Sequence, residues 1–255
     1  MALSVRSVLV TGASRGLGLE FIRQLVALPS APELVIAACR DPASAANLQD
    51  IAKSHSSVKV IKLDVEKDED IESAFKETQA FVGEKGLNLL INNAGLNEKA
   101  DGGGIYKAAR EVIQRHFDVN VTGPIMISQK FLPLIEMAAS QKNSKELNSQ
   151  AAIIMISSAM GSQGITFKEG RGISLHYKCS KSAVNMGMIL MSRELQDAGI
   201  FVNSLHPGWV RTDMGGPNAD LTLEESVVGC LKEISSAREE TNGKLVSWKG
   251  EILPY

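Results

Sequence analysis

Short apolar runs rich in β-branched residues alternate along this chain with stretches in which apolar residues recur every three or four positions. The short runs predict buried strands, and the periodic stretches predict amphipathic helices. Strands are predicted at residues 7–11, 34–38, 58–63, 87–92, 151–156 and 201–205. Helices are predicted at residues 17–28, 71–82, 107–118, 124–139, 177–197 and 223–235.

The predicted strands are apolar on both faces, which is typical of a parallel sheet covered by helices on both sides. Their regular alternation with helices indicates crossover units. We therefore expect residues 1–255 to form a single α/β domain, a Rossmann-type doubly wound parallel sheet of about seven strands flanked by helices on both faces. Three polar or Gly-rich segments interrupt the pattern, and the first and third follow strand ends, where such sheets bind ligands: residues 97–104, 140–150 and 162–174.

Composition excludes several classes of partner. The formal net charge is -2, and Lys and Arg are scattered without a basic stripe, so no nucleic-acid partner is expected. The three cysteines are an odd number without C-x-x-C spacing, which disfavours a zinc site and fits a reducing compartment. No signal-like segment precedes the first strand, and no apolar run reaches membrane-spanning length. We expect a cytoplasmic protein with no membrane partner and no metal.

A glycine-rich loop, Thr11-Gly-Ala-Ser-Arg-Gly-Leu-Gly18, joins the first predicted strand to the first helix. Glycines allow a tight turn and a close approach of the backbone to a pyrophosphate, while the helix N-terminus offers free N–H groups. The alternative is a glycine-rich connection without a ligand. The loop residues assigned to cofactor binding are Gly12, Ser14, Arg15, Gly16, Leu17 and Gly18.

Two arginines bear on which cofactor is bound. Arg15 lies inside the loop, and Arg40 follows the second predicted strand, where an adenine ribose would lie. An acidic residue there suits the ribose 2′-hydroxyl of NAD, whereas Arg suits the 2′-phosphate of NADP. Asp41 leaves some ambiguity, but we expect NADP (NADPH) rather than NAD.

Three downstream motifs make the comparison with a family specific. Asn92-Asn-Ala-Gly95 ends the fourth predicted strand, Tyr177-Lys-Cys-Ser-Lys181 opens the long helix, and Pro207-Gly208 follows the sixth strand. With the glycine loop, in this order, the chain resembles the short-chain dehydrogenase/reductase family over nearly its whole length. It is most similar to the sniffer-like and C-factor-like carbonyl reductases, through the segments 89–95, 156–162 and 207–213.

The spacing of Tyr177 and Lys181 puts both on one helix face. A phenol has a pKa of about 10, and a neighbouring ammonium favours the phenolate, so Tyr177 is expected to exchange a proton with a carbonyl oxygen. A hydroxyl at the end of the fifth strand can stabilise that oxygen. The family pattern selects Ser158, with Ser157 as the alternative. The resemblance also implies that Lys181 holds the nicotinamide ribose and that Asn120 binds a water linked to Lys181.

The resemblance assigns further cofactor contacts. Asp64 and Val65 would contact the adenine ring, and the backbone of Asn93, Ala94 and Gly95 would approach the cofactor, with Asn93 also tying neighbouring strands. The nicotinamide carboxamide would lie against Pro207, Gly208, Val210 and Thr212. Trp209 either lines the substrate pocket or packs beneath its loop, with equal weight on the two.

Together these features predict an NADPH-dependent oxidoreductase that reduces an aldehyde, ketone or quinone to an alcohol. The alternative is a catalytically silent NADP-binding regulator. The pattern suggests a homodimer through the helices that begin near Pro124 and Tyr177, since the second helix carries Met186 and Leu190. The alternative is that these residues pack on the sheet.

Overall fold

The computed structural model describes residues 3–98, 104–141, 151–170, 172–237 and 239–255. Within these ranges the chain forms a sheet of eight strands in the order β3-β2-β1-β4-β5-β6-β7-β8. Neighbouring strands are parallel except β7 and β8, which pair antiparallel at one edge. The strands are β1 (Ser7–Thr11), β2 (Leu34–Cys39), β3 (Val58–Lys62), β4 (Leu89–Asn92), β5 (Ala152–Ile156), β6 (Phe201–His206), β7 (Leu245–Ser247) and β8 (Ile252–Leu253).

Helices connect the strands on both faces of the sheet. They are α1 (Gly16–Ala27), α2 (Ala46–Ser54), α3 (Asp68–Val82), α4 (Arg110–Phe117), α5 (Gly123–Ala139), α6 (Gln163–Glu169), α7 (Leu175–Glu194) and α8 (Leu223–Ser235). A π-helical turn, Asp118–Thr122, joins α4 to α5, and short 3-10 turns include Ile105–Lys107 and Ala159–Gly161. Among the described residues, no helix is both long and apolar enough to cross a membrane.

Two apolar clusters cover the two faces of the sheet. One packs Phe21 of α1 and Val227 of α8 against alternate strand residues, and the other packs Phe131 of α5 and Met188 of α7 against the opposite face. β1, β2, β4 and β5 are buried at every position, because they are central strands covered on both sides. Because both faces of the sheet are covered, ligands can reach it at the ends of the strands.

The predicted doubly wound α/β fold is confirmed. Each predicted strand is present within two residues of its expected bounds, but β7, β8, α2 and α6 were not predicted. β7 has three residues and β8 two, α2 buries Leu48 alone, and α6 buries none of its residues, so each of the four is very short or has little buried apolar surface. The predicted polar segments at 97–104 and 140–150 lie largely outside the described residues, as does residue 171 within 162–174.

Candidate active site

The sequence-predicted site residues converge at the carboxyl ends of β1, β4, β5 and β6. The strand order reverses between β1 and β4, because β1 runs toward β2 and β3 on one side while β4 to β7 follow on the other. In open parallel sheets, this reversal opens a crevice that receives ligands. The glycine loop, the Asn93–Gly95 stretch, Ser158 and the Pro207–Gly208 turn all follow strands at this end.

The glycine loop packs so tightly against the β4 end that side chains are excluded. Gly12 has a φ of +66°, and a Cβ built on it would lie 2.9 Å from the Cα of Ala94. A Cβ on Gly18 would lie 2.1 Å from the carbonyl oxygen of Gly12. Asn93 Nδ2 donates to the carbonyl of Thr11 at 2.8 Å and so ties β1 to β4 as expected.

The loop leaves a backbone surface suited to a phosphate. Arg15 is the N-cap of α1 in extended conformation, and within the described structure no side chain caps the helix. The first N–H groups of α1 are therefore free to bind an anion, and the positive end of the helix dipole favours one. Ser14 and Leu17 lie in the same turn, with Leu17 packed against the core. These residues fit a dinucleotide pyrophosphate.

Tyr177, Ser158 and Lys181 form a buried cluster. Tyr177 and Lys181 lie one turn apart on α7, and the side chain of Ser158 hydrogen-bonds the Tyr177 phenol. Lys181 Nζ lies 5.7 Å from the centroid of the Tyr177 ring and donates to the carbonyl of Ile156 at 2.8 Å. Next to this cluster, Ser182 Oγ of α7 donates to the Gly161 carbonyl at 2.6 Å and ties the helix to the turn after β5. One phenol, one hydroxyl and one amine thus share a water-poor site at the end of β5.

Burial governs the charge of this cluster. It raises the pKa of Tyr177 to about 12, against the opposing effect of the Ser158 hydrogen bond, and lowers the pKa of Lys181 to about 8. The sequence suggested a lowered phenol pKa. The pKa of Tyr177 in the protein is shifted in the opposite direction, because desolvation outweighs the hydrogen bond from Ser158, while Lys181 Nζ is bonded to the Ile156 carbonyl. The phenol therefore carries its proton at neutral pH, as a proton donor must.

The two serines after β5 point to different partners. Ser157 Oγ donates to Asn185 Oδ1 at 2.7 Å and is buried in the core beneath α7. Ser158 Oγ accepts from the Met160 N–H at 3.1 Å and reaches Tyr177. Asn185 was not singled out in the sequence, although its position four residues after Lys181 puts it on the same face of α7.

Asn120 lies in the π-helical turn and holds the loop after β4. Its Nδ2 donates to the Leu96 carbonyl at 2.9 Å and to Ser180 Oγ at 3.0 Å, and its Oδ1 accepts from the Leu96 N–H at 2.7 Å. A Cβ on Gly95 would lie 3.5 Å from Asn120 Oδ1 and 3.7 Å from Lys181 Nζ. Asn120 and Lys181 therefore flank Gly95, and the side chain of Asn120 is bonded to the loop after β4 and to α7.

The segment after β6 reaches across to the glycine loop. Gly208 has a φ of +85° and sits against Leu221 and Trp248, and Val210 is buried in a bridge with Leu221. Pro207 accepts a hydrogen bond from Ser226 at 2.6 Å. Thr212 Cγ2 comes within 3.7 Å of a Cβ built on Gly16, and Arg15 Nη1 lies 3.5 Å from Asp213 Oδ2.

The remaining assigned residues lie at the rim. Arg40 is exposed directly after β2. Asp64 follows β3 and is fixed by turn hydrogen bonds to Asp70 and Glu66. Val65 is buried against Gly123 at the start of α5. Trp209 is 51% exposed, and its Nε1 donates to the Gly215 carbonyl at 3.0 Å, so the ring is not packed beneath its loop.

A doubly wound fold with a glycine loop and a buried Ser–Tyr–Lys cluster defines a class of nucleotide-dependent oxidoreductases, and the comparisons with known proteins agree. The sequence model for short chain dehydrogenase matches residues 6–221. An uncharacterised oxidoreductase of Schizosaccharomyces pombe is 32% identical, with 96% of each chain covered. This chain therefore belongs to the short-chain dehydrogenase family.

Solved structures narrow the resemblance. The NADPH-bound carbonyl reductase from chicken fatty liver is 40% identical with a TM-score of 0.92, covering 99% of this chain and 100% of that one. The carbonyl reductase Sniffer of D. melanogaster is 33% identical with a TM-score of 0.94, covering 98% and 100%. The resemblance to sniffer-like reductases stated from sequence is confirmed.

Proposed function

We propose that this protein is an NADPH-dependent reductase that converts an aldehyde, ketone or quinone to an alcohol. The observation that carries the proposal is the buried cluster of Ser158, Tyr177 and Lys181, at the same end of the sheet as a glycine loop fitted to a dinucleotide. A protonated phenol next to a hydroxyl is what reduction of a carbonyl needs from the protein. The NADPH-bound and Sniffer carbonyl reductases described above support the same reaction class.

Gly95 and Gly208 would border the nicotinamide of a bound NADPH, which would supply the hydride for the carbonyl carbon. The chain supplies everything else. Tyr177 donates its phenol proton to the carbonyl oxygen, and Ser158 donates a hydrogen bond that stabilises the developing negative charge. The Lys181 ammonium then stabilises the phenolate left on Tyr177, until the proton returns from solvent past Asn120.

The experiment is replacement of Tyr177 by Phe, which removes the proton donor and preserves the ring. We expect the turnover number, measured as NADPH oxidation at 340 nm over a panel of carbonyls, to fall by roughly 10²- to 10⁴-fold. NADPH binding, measured by fluorescence titration, should stay within a few-fold. Tyr106, which is fully exposed, gives the matched control Tyr106→Phe. Wild-type-like turnover in Tyr177→Phe would reject the mechanism.

The preference for NADPH rests on Arg15 and Arg40. Both are exposed cations at the rim, one inside the glycine loop and one after β2, and Arg15 is held only by an exposed ion pair with Asp213. Arg40→Asp should weaken NADPH binding by about 10- to 100-fold, the value of a charge-assisted hydrogen bond or two, and should improve binding of NADH. A wild-type protein that binds NADH more tightly than NADPH would overturn this part of the proposal.

We also propose a homodimer through α5 and α7. Gly187 of α7 packs against Ile125 of α5, while Met186 and Leu190 on α7 are 56% and 62% exposed. Two exposed apolar residues four apart form a stripe suited to the same helix of a second copy. Multi-angle light scattering should give twice the mass of one chain, and Met186→Lys with Leu190→Lys should give one. A wild-type monomer across micromolar concentrations would reject the dimer.

A cytoplasmic location is proposed from the cysteines. Cys39, Cys179 and Cys230 all lie in described ranges and are free, which suits a compartment that keeps thiols reduced. Imaging of a tagged chain tests this proposal.

A further inference from the structure

The loop that follows the cofactor-facing Asn93–Gly95 stretch is held by side chains at two positions along its backbone. Asn120 pairs with both the N–H and the carbonyl of Leu96, as described above. Two residues further on, Glu98 is held in the same way by two histidines. Its N–H donates to His116 Nε2 at 3.2 Å, and its carbonyl accepts from His176 Nε2 at 2.9 Å.

The geometry assigns the protons on both rings. His116 Nε2 accepts a hydrogen bond, so His116 must be neutral and carry its proton on Nδ1, which lies 2.7 Å from the Val112 carbonyl. His176 must carry a proton on Nε2 to donate to Glu98. The two rings are buried, and their centroids are 4.2 Å apart. Each histidine therefore depends on a defined tautomer.

The contacts of the two histidines with Glu98 join three parts of the site. His116 lies on α4, four residues before Asn120, and His176 lies on α7 immediately before Tyr177. Glu98 lies three residues after Gly95, beside which Lys181 and Asn120 sit. A shift of the Glu98 backbone is therefore transmitted along a bonded segment to the residues that approach the nicotinamide.

We propose that His116 and His176 are positioning residues that latch the Glu98 backbone, hold the Asn93–Gly95 stretch against the cofactor, and release it when the pair takes up a proton. The effect of the latch on NADPH binding rests on the proposed function. The hydrogen bonds that form the latch do not depend on that function. Protonation of His116 converts Nε2 from an acceptor to a donor that faces the Glu98 N–H. A second positive charge on His176 at this distance would repel the first.

The charged surroundings set the direction of the pH effect. His116 faces His176 from α7 and Glu98 from the loop after β4, and on its own helix it neighbours Arg115, which also pairs with Glu98 and Glu66. Burial has the largest effect and lowers the pKa of His116 below its ordinary value of 6.5. The Val112 carbonyl and Glu98 oppose this shift, while His176 and Arg115 add to it. A histidine with a lowered pKa contributes stability above 6.5 that is lost as the pH falls through its folded pKa.

The first test reads the latch without any enzyme assay. Long-range ¹H–¹⁵N spectra of the histidine side chains should show His116 as the Nδ1–H tautomer and His176 as the Nε2–H tautomer at about pH 7.5. Hydrogen exchange of the Glu98 amide should quicken as the pH falls below the ordinary histidine range, relative to the intrinsic rate. An Nε2–H tautomer of His116, or a rapidly exchanging Glu98 amide at neutral pH, would overturn the latch whatever the protein's activity.

The second test separates the hydrogen bond from the ring. His116→Gln keeps an acceptor for Glu98 but does not titrate, and His116→Phe keeps a ring without an acceptor. We expect His116→Phe to raise the KM for NADPH several-fold at about pH 8, while kcat changes less. His116→Gln should keep the wild-type KM there and lose the rise in KM that the wild type shows toward about pH 5.5.

Exposed His55, at the end of α2, supplies the control variant His55→Gln, which should retain the wild-type pH profile. Identical profiles for the wild type and His116→Gln would overturn the pH-sensitive release. Expected tautomers together with absent reductase activity would reject the proposed function and leave the latch intact.

Discussion

The two halves of the site are built differently. The half on β1 and β4 is closed by backbone, since Gly12 contacts Ala94 and Gly18 contacts Gly12 without room for a side chain. The half on β5 and β6 presents side chains instead: Phe167, Ile173 and Trp209 are 88%, 51% and 51% exposed. Main-chain surfaces recognise what all dinucleotides share, whereas exposed apolar side chains accept varied shapes. Under the proposed function, a fixed cofactor half and an open substrate half would suit a reductase of broad carbonyl tolerance.

The open half is held by a few polar contacts. α6 has no buried residue, and it is attached where Lys178 Nζ donates to Thr166 at 3.2 Å and the Gly164 N–H donates to the Tyr255 carbonyl at 2.9 Å. Segments with few buried contacts open at low free energy. The contrast predicts that substitutions in the glycine loop affect folding and cofactor binding together, while those of exposed side chains in the open half affect the KM with little effect on folding.

The largest effect is expected when a single methyl group is added to a glycine, and the same change in each half of the site tests the contrast most directly. A Cβ on Gly18 would lie 2.1 Å from the Gly12 carbonyl and 2.6 Å from Asn93 Nδ2, so the loop must move. Gly18→Ala should abolish measurable NADPH binding and lower the free energy of unfolding by about 1–3 kcal/mol, although Ala is the better helix former. Urea denaturation and fluorescence titration measure the two effects.

The control lies in the open half. A Cβ on Gly172 meets no described atom within 4 Å, so Gly172→Ala should change stability by less than about 0.5 kcal/mol and leave NADPH binding intact. Equal effects of the two alanines would contradict the contrast.

The second prediction assigns different roles to the two serines that follow β5. Ser158→Ala removes the hydroxyl next to Tyr177 and should lower kcat by about 10²-fold with little change in stability. Ser157→Ala strips the donor from Asn185 and should instead cost about 1–2 kcal/mol of stability, with kcat changed only a few-fold. Steady-state kinetics and thermal unfolding of both variants distinguish these outcomes, and the reverse pattern would exchange the roles.

Much of the fixed half was predictable because its signals are local. The glycine spacing and the strand before it lie within a dozen residues. The fully apolar strands indicate a parallel sheet that helices cover on both faces. The same holds for Tyr177 and Lys181, which one helical turn brings together. These features depend on contacts between near neighbours in sequence.

Features made by distant residues were not predictable in this way. Glu98, His116 and His176 meet only after α4 and α7 pack together, and each histidine by itself resembles any partly buried one. The raised pKa of Tyr177 depends on burial, which the Tyr-x-x-x-Lys spacing does not report. α6 was missed because its N-terminal end is fixed by Ser162 and by the Tyr255 carbonyl, and it has no buried apolar face.

The third prediction sets stability against activity within the cluster. Lys181 is buried with its pKa lowered to about 8, so at pH 7 the folded protein carries a buried charge that the unfolded chain leaves in water. Lys181→Met should remove reductase activity yet raise the free energy of unfolding at pH 7, by on the order of 1 kcal/mol after the loss of the bond to Ile156.

The gain should shrink as the pH rises. Between about 8 and 10.5 the unfolded chain binds more protons at Lys181 than the folded one, so wild-type stability recovers with pH across that range. Urea denaturation at about pH 7 and about pH 9.5 checks the sign. A destabilised Lys181→Met at both pH values would contradict the desolvation argument.

The smallest expected effect lies in the open half, at Trp209. Its ring is half-exposed and is fixed by the bond from Nε1 to the Gly215 carbonyl, so it adds little to folding. We propose that it lines the entrance of the substrate pocket. Trp209→Ala should change stability by less than about 0.5 kcal/mol, because it opens no core cavity. It should raise the KM for bulky aromatic carbonyls several-fold and leave that for a small aldehyde and for NADPH unchanged, since only large substrates reach the ring. Trp209→Phe should restore the aromatic preference, because a ring remains. If the KM for large and small substrates rose equally, Trp209 would be acting through its loop rather than on the substrate, and the open half would be less independent of the cofactor half than its exposure implies.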